Sequence, residues 1–226
     1  MSPLLGNVML NECDHELNRR GHQFVRYADD MMIFCKSRKA AQRTLDSTTK
    51  YLEEKLYLKV NREKTQVANI SKVKFLGYAF YIYKGEGRLR VHPESVRKLK
   101  DNLREVTGRS NGMSILRRKE RLNQIVRGWV DYFKLADMKS LLETLDPWLR
   151  RRIRMVTWKR WKKIKTRYHY LKRLGIDESR AWQWANTRLG YWRVAGSWIL
   201  TRAIQNNMLE KAGYLTLSGR YQAYRV

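Results

Sequence analysis

The sequence predicts an α+β protein in which antiparallel β-hairpins packed with helices are followed by an α-helical bundle. Three observations predict it. Apolar runs at 23–27 and 31–35 flank an aspartate pair, as the two arms of a hairpin would. Alternating and aromatic residues at 73–92 indicate a second hairpin. After Pro93 the apolar residues recur at helical spacing, and all eight tryptophans follow it.

The first elements are expected to be a helix, the hairpin and a second helix. Residues 4–20 carry apolar side chains at helical spacing, and the arginines before Gly21 suit a helix C-terminus. Ser37 is a good N-cap for a helix that extends to about Lys55.

Two further β elements are expected before the helical part. Residues 57–60 alternate between polar and apolar and predict a short strand. The second hairpin is predicted to pair 73–83 with 88–92 through a turn at 84–87, which contains two glycines.

Prolines and capping residues mark the predicted helix starts of the bundle. Pro93 suits the first position of a helix that stops near Gly108. A second helix is expected from Ser114. Asp146 and Pro147 form an N-cap and first-position pair, which predicts a third helix and a three-helix bundle.

The charge is large and unevenly distributed. The chain carries 48 Lys and Arg against 21 Asp and Glu, a net charge of +27. Residues 1–60 hold 10 basic and 8 acidic side chains, whereas 61–226 hold 38 and 13. This excess indicates a polyanionic partner, and its position predicts a structural or catalytic module followed by a binding module.

The composition argues against several other classes. Two cysteines, Cys13 and Cys35, fit a reducing compartment and provide neither a disulfide framework nor a multi-cysteine zinc module. The sequence has no apolar run of about 18 residues and no charged-then-apolar leader, so we expect no membrane span and a cytoplasmic location.

Asp29 and Asp30 are the candidate metal ligands. Consecutive strand residues point to opposite faces, so the two carboxylates can converge on one ligand only at the turn of a hairpin. Two like charges held close together repel, and a bound Mg²⁺ would relieve that repulsion. A polar hairpin tip without a ligand is the alternative.

A second candidate region is basic. Residues 150–173 contain twelve Lys or Arg and no acidic residue, interleaved with tryptophan and tyrosine. The simplest explanation of a run of positive charges without carboxylates is an external polyanion, most simply RNA. The aromatic residues either stack on unpaired bases or anchor the helices to their neighbours. The candidate RNA-binding residues are Arg150, Arg151, Arg152, Arg154, Lys159, Arg160, Lys162, Lys163, Lys165 and Arg167.

Four motifs carry a family resemblance. Tyr27-Ala28-Asp29-Asp30 resembles the catalytic box of reverse transcriptases, and Ser2-Pro3-Leu4-Leu5-Gly6-Asn7 resembles the block that precedes it in the group II intron type. Asn61-Arg62-Glu63-Lys64-Thr65 and Phe75-Leu76-Gly77-Tyr78 resemble two later blocks of the same enzymes. On these motifs the sequence is identified as a member of the group II intron-encoded reverse transcriptases/maturases.

The resemblance implies an RNA-directed DNA polymerase, a nucleotidyltransferase in which two Mg²⁺ ions activate the primer 3′-hydroxyl and stabilise the leaving pyrophosphate. It implies that Asp29 and Asp30 are catalytic metal ligands and that Lys64 lies near the phosphates of the incoming nucleotide. It also implies a set of nucleotide- and primer-binding residues: Tyr27, Ala28, Ser2, Pro3, Phe75, Leu76, Gly77 and Tyr78. From the residues alone, the simpler interpretation of Lys64 is a solvated surface lysine. Gly77 marks either an edge bulge or a place where the primer backbone comes close.

The resemblance also implies the domain organisation. It predicts a partial polymerase palm at 1–91, a helical thumb and maturase-specific RNA-binding domain at 92–175, and a C-terminal helical extension at 176–226. The extension is expected to include a helix over 197–211 that stops at Gly213.

Two hypotheses of function remain open at this stage. In the family the Ser2 block follows fingers strands and a palm strand with another catalytic aspartate, so the chain is expected to be truncated. The first hypothesis is a polymerase/maturase that uses intron RNA, a DNA primer and dNTPs. It would be weak or inactive unless a second chain supplies the fingers and first palm strand. The second is a non-catalytic RNA-binding splicing factor.

Overall fold

The computed structural model describes residues 3–224, and the chain divides into two compact units after Gly87. The predicted α+β class, with a helical bundle after the sheets, is confirmed. Unit 1 comprises α1 (Pro3–Arg19), β1 (Gln23–Tyr27), β2 (Asp30–Phe34), α2 (Arg38–Glu54), a 3₁₀ turn (Ile70–Lys72), β3 (Lys74–Phe75) and β4 (Tyr78–Tyr83), and β5 (Glu86–Val91) spans the division.

Unit 2 is helical. It comprises α3 (Pro93–Val106), α4 (Ile115–Phe133), α5 (Lys139–Arg160), α6 (Ile164–Arg173), α7 (Glu178–Ala185), α8 (Tyr191–Ala195), α9 (Trp198–Ala203), α10 (Asn206–Lys211) and α11 (Leu217–Gln222). Helix α11 packs against α4 and α5, α8 packs on α5, and α6 pairs with α7. The core therefore draws on residues from both ends of this unit.

The first two helices begin and end as the sequence predicts. Gly21 has a φ of 73°, and the backbone N–H of His22 donates to the carbonyl of Leu17 over 3.0 Å, which ends α1. The Ser37 hydroxyl accepts the N–H of Ala40 over 3.2 Å and caps α2.

The predicted strand at 57–60 is wrong. These residues are assigned to no strand, because Tyr57 takes a left-handed φ of 54°. The N–H of Leu58 then donates to the carbonyl of Leu52 over 2.9 Å. The alternating polar and apolar residues at 57–60 therefore belong to a segment that folds back on the end of α2.

The second hairpin has two tight turns where the sequence predicts one longer turn. Leu76 and Gly77 have φ values of 50° and 81° and interrupt the predicted strand 73–83, so that β3 and β4 pair through them. Lys84 and Gly85, at 51° and 81°, form the next turn, and β5 begins at Glu86. Type I′ hairpin turns require positive φ at both central positions, which is why glycine suits the second position of these two turns.

The start of the third helix of the bundle is also corrected. Helix α5 begins at Lys139, with Pro147 inside it, rather than at Asp146. Asp146 is 4% exposed and accepts the N–H groups of Leu217 over 2.8 Å and Ser218 over 3.0 Å. Asp146 therefore accepts hydrogen bonds from the first backbone N–H groups of α11 rather than from those of its own helix.

The predicted helix 197–211 is divided into α9 and α10. The buried Arg154 donates from Nε to the carbonyl of Ile204 over 2.9 Å and from Nη2 to Asn206 Oδ1 over 2.8 Å. These bonds take a carbonyl that an uninterrupted helix would have used. Burial lowers the pKa of Arg154 from its usual value. The predicted stop at Gly213 is confirmed by its φ of 84°.

Candidate functional site

The aspartate pair lies at the tip of the β1–β2 hairpin. Ala28 and Asp29 form the two-residue turn, and Asp30 is the first residue of β2. Tyr27 stands opposite Asp30 in the register, so their side chains share one face of the sheet. Ala28 has a φ of 53°, which is uncommon for a residue with a Cβ atom. The turn is therefore held in its conformation by its surroundings.

Arg26 is the residue that holds it. Its guanidinium donates two hydrogen bonds to Asp14 Oδ2, of 2.5 and 3.0 Å, and a third to Asp14 Oδ1 over 2.8 Å. Its Nη1 also donates to Asn7 Oδ1 over 3.0 Å and to the carbonyl of Ala28 over 2.9 Å. The hydrogen bonds to Asp14 raise the pKa of Arg26 above its ordinary value. One side chain thus connects α1 to the hairpin tip.

This network leaves the two aspartates without a cation. Asp29 and Asp30 are exposed, and within residues 3–224 neither side chain forms a hydrogen bond or an ion pair. The nearest arginine in the sequence, Arg26, is occupied by Asp14. The tip is therefore an acidic point in a chain of net charge +27.

The donor set fits one divalent cation. Two carboxylates are a usual protein share for Mg²⁺, which completes its shell with water and phosphate oxygens. Within residues 3–224 there is no group of three or more His, Cys, Asp or Glu side chains that could hold a metal. The described residues therefore supply no third acidic ligand for a two-metal centre.

Lys64 lies in a turn built by Asn61. The Asn61 side chain accepts the N–H groups of Glu63 over 3.1 Å and Lys64 over 3.2 Å, and Arg62 pairs with Glu53 over 3.1 Å. The ammonium of Lys64 is exposed and has no ion pair among the described residues. No contact connects it to the aspartates there, so its catalytic role stays a prediction.

The remaining predicted nucleotide- and primer-binding residues are distributed over three places. Phe75 through Tyr78 form the β3–β4 turn, a hairpin separate from the one that carries Asp29 and Asp30. Tyr27 is 65% exposed beside the tip. Pro3 is the first residue of α1, and Ser2 lies outside the described residues.

The predicted basic surface separates into two groups. Five of its ten residues are engaged inside unit 2. Arg150 pairs with Glu210 over 3.1 Å, and Arg152 donates to the Thr107 hydroxyl over 2.5 Å. Arg154 spans the α9–α10 break, Arg151 donates to the Trp192 carbonyl, and Arg167 to the Trp161 carbonyl.

The other group is available to a ligand. Four residues between the end of α5 and the first turn of α6 are exposed and form no ion pair within the described part of the chain. We call them the junction cations: Arg160, Lys162, Lys163 and Lys165. Lys159, half-buried, lies against the ring of Tyr191.

Two family models match parts of this chain. Residues 1–80 match the reverse transcriptase (RNA-dependent DNA polymerase) family. Residues 96–175 match the group II intron, maturase-specific domain. The chain belongs to the group II intron reverse transcriptases/maturases. The comparison with curated proteins gives no match.

Membership gives the two units their functional context. The function supported for the chain is that of an intron-associated RNA-directed DNA polymerase/maturase, and reverse transcriptases generally use a divalent metal. The hairpin with Asp29 and Asp30 lies in the polymerase match, and the junction cations lie in the maturase match. No helix among residues 3–224 is long and apolar enough to cross a membrane.

Sequence reasoning missed the residues that position these sites. Asp14 and Asn7 hold Arg26, and the signal for them was present: an acidic residue on α1 and a strand arginine beside the aspartate pair. Tyr191 and Arg109 were missed because they meet only in three dimensions.

Proposed function

We propose that this chain binds group II intron RNA, in splicing and mobility, through the basic surface of unit 2. The observation that carries the proposal is the set of junction cations. They are exposed, and residues 147–176 contain no acidic side chain to neutralise them. An RNA backbone supplies the missing negative charge, and it gains affinity by releasing condensed counterions.

The salt dependence of binding tests this proposal. Each phosphate contact adds about 0.7–0.9 to the slope of log affinity against log salt. Changing all four junction cations to glutamine should therefore lower the slope by about 3 if each contacts a phosphate. Fluorescence anisotropy with a labelled group II intron transcript measures it.

A matched control removes the same charge elsewhere. Glutamine at four exposed positions around α2, again one arginine and three lysines, lowers the net charge equally: Lys36, Lys39, Arg43 and Lys55. We expect it to change the slope by less than half as much. Equal effects of the two variants would mean that only net charge matters, and would refute a defined surface at the junction.

We also propose that Asp29 and Asp30 hold Mg²⁺ for RNA-directed DNA synthesis. The support is that their carboxylates are exposed, adjacent and unpaired within the described residues. A bound Mg²⁺ would supply Lewis-acid stabilisation of phosphoryl transfer. The protein's own part is to fix the tip through Arg26, to present Tyr27 beside the incoming nucleotide, and to bring the Lys64 ammonium to its phosphates.

This chain by itself should extend a primer on an RNA template feebly or not at all, because the described residues offer two carboxylates and no third acidic ligand. Primer extension with Mg²⁺ and dNTPs checks this, with Asp29→Asn as the control. Robust synthesis that Asp29→Asn abolishes would show that the two carboxylates suffice. A non-catalytic splicing factor is the second candidate function, favoured by the same incomplete donor set.

The remaining partners and boundaries are proposals of the same kind. A DNA primer and dNTPs are the expected substrates, and a separate chain with fingers and a first palm strand would supply the third ligand. The test is to add such a chain and to measure whether DNA synthesis is restored. We retain 1–91, 92–175 and 176–226 as the domain boundaries and the bacterial cytoplasm as the location.

A further inference from the structure

Two cations that are unpaired within the described residues lie against one tyrosine ring in unit 2. The Arg109 guanidinium carbon lies 5.7 Å from the centre of the Tyr191 ring, and the Lys159 ammonium lies 5.0 Å from it. The three residues come from the loop after α3, the end of α5 and the start of α8. Tyr191 lies outside both family matches, which end at residues 80 and 175.

This cluster has unused hydrogen-bond donors. A cation over an aromatic face interacts with the ring and keeps its N–H groups available: three on an ammonium and five on a guanidinium. Within residues 3–224 neither Arg109 nor Lys159 forms an ion pair or a side-chain hydrogen bond. The neighbouring Arg151 differs, because its Nε and Nη2 donate to the Trp192 carbonyl over 3.2 and 2.8 Å.

Within residues 3–224 no carboxylate forms an ion pair with either cation. The three segments that build the cluster, residues 106–119, 147–176 and 179–209, contain no aspartate or glutamate. Both cations lie against the same ring, so the charge of each favours a negatively charged ligand at this place.

Each cation-bearing element is fixed in place. Asn111 donates to the carbonyls of Glu105 and Val106 over 2.9 and 3.0 Å, and accepts from Arg118 over 2.6 Å, which orders the loop that carries Arg109. The end of α5 is held by the buried Trp161, whose carbonyl accepts from Arg167.

Helix α8 is fixed on α5 by Arg151. Its guanidinium carbon stacks 4.0 Å from the centre of the Trp192 ring, and it lies so close to Gly196 that a Cβ there would stand 2.5 Å from it. Tyr191, the preceding residue, is held with it. The two free cations are therefore presented by a rigid frame, which reduces the entropic cost of binding.

We propose that Arg109, Lys159 and Tyr191 form a phosphodiester-binding site for the RNA, here called the Tyr191 clamp. The proposal rests on the RNA binding proposed above, and it adds the C-terminal segment to the RNA surface. A phosphate is the fitting ligand, because Arg109 and Lys159 offer positively charged N–H donors and the oxygens of a phosphodiester accept charge-assisted hydrogen bonds from them.

The test compares a clamp variant with a control substitution at the other end of α5. Arg109→Gln combined with Lys159→Gln should lower the salt slope by about 1.4–1.8 and weaken binding about 14- to 30-fold in about 0.15 M salt, from the same counterion-release slopes. Lys139→Gln removes one lysine from the other end of α5, about 30 Å away along the helix axis. It should weaken binding less than twofold.

The outcomes separate this site from the proposed function. If the wild-type chain binds intron RNA with a steep salt slope and the double variant binds like Lys139→Gln, the clamp is refuted and RNA binding stands. If the wild-type chain does not bind the RNA, both the Tyr191 clamp and the proposed RNA-binding function are refuted.

A second measurement needs no variant. Saturating RNA should slow acetylation of Lys159 by an amine-reactive reagent at least fivefold, read by mass spectrometry, while Lys139 is unaffected. Equal rates for Lys159 with and without RNA would overturn the clamp.

Discussion

Asp146 offers a test of how the end of the chain is joined to the helical unit. Its carboxylate is buried and accepts the N–H groups of Leu217 and Ser218 at the start of α11, together with the Ser218 hydroxyl over 2.5 Å. Asp146→Ala removes both acceptor oxygens and with them all three hydrogen bonds. It leaves the N–H of Leu217, a fully buried residue, without a partner.

The expected cost follows from these contacts. A buried unsatisfied donor costs about 1–3 kcal/mol, and loss of the hydrogen bonds to Ser218 adds about 1 kcal/mol. We therefore expect Asp146→Ala to lower the free energy of unfolding of unit 2 by about 2–4 kcal/mol. For a chain of this size that corresponds to a fall in Tm of roughly 5–15 °C. Asp146→Asn keeps one acceptor oxygen and should lose about half as much.

Urea unfolding followed by tryptophan fluorescence measures this effect, since all eight tryptophans lie in unit 2. Pro147→Ala is the discriminating control. If Asp146 and Pro147 began their own helix, both substitutions would have small effects confined to a helix end. A loss below about 1 kcal/mol for Asp146→Ala would refute the anchoring of α11.

Two further predictions concern local sites. Hydrogen bonds from Arg19 and Arg20 lower the pKa of Glu16 to about 2, so its favourable pairing is complete above pH 4.5 and disappears as the pH falls to about 2. NMR titration should find this carboxyl near pH 2, and Arg19→Gln with Arg20→Gln should return it toward 4.5; a wild-type value near 4.5 would contradict the pairing. Gly196→Ala should displace Arg151 from the Trp192 ring, at a cost of about 1 kcal/mol, and unchanged Trp192 packing in a crystal structure of the variant would disprove the contact.

Local sequence patterns predicted the structure correctly where the interacting residues are close together in the sequence. The caps at Ser37 and Ser114, the stops at Gly21 and Gly213, and the hairpin around Asp29 depend on neighbours within a few residues, and all are found in the structure. The periodicity of the apolar residues also placed the bundle correctly, because burial on one helix face needs no knowledge of the partner.

Long-range partners could not be predicted from local patterns. Asp146 has the composition of an N-cap, but the N–H groups that it satisfies lie 71 and 72 residues away. The interruption at Ile204 depends on Arg154, a residue 50 positions earlier that was predicted to bind RNA. In both cases a charged side chain forms its hydrogen bonds with backbone groups that are distant in the sequence.

The difference between local and long-range partners also explains why a run of basic residues does not by itself identify an RNA-binding surface. Arg150, Arg151, Arg152, Arg154 and Arg167 satisfy carbonyls, a hydroxyl and a carboxylate within unit 2, and a planar guanidinium with five donors suits that task. The exposed remainder is largely lysine, whose strongly hydrated ammonium gains little from burial. In this chain the arginines of the basic run chiefly hold the fold together, while the lysines, with Arg109 and Arg160, carry the charge available to a polyanion. An RNA-binding assay should therefore respond to the second group, and an unfolding assay to the first.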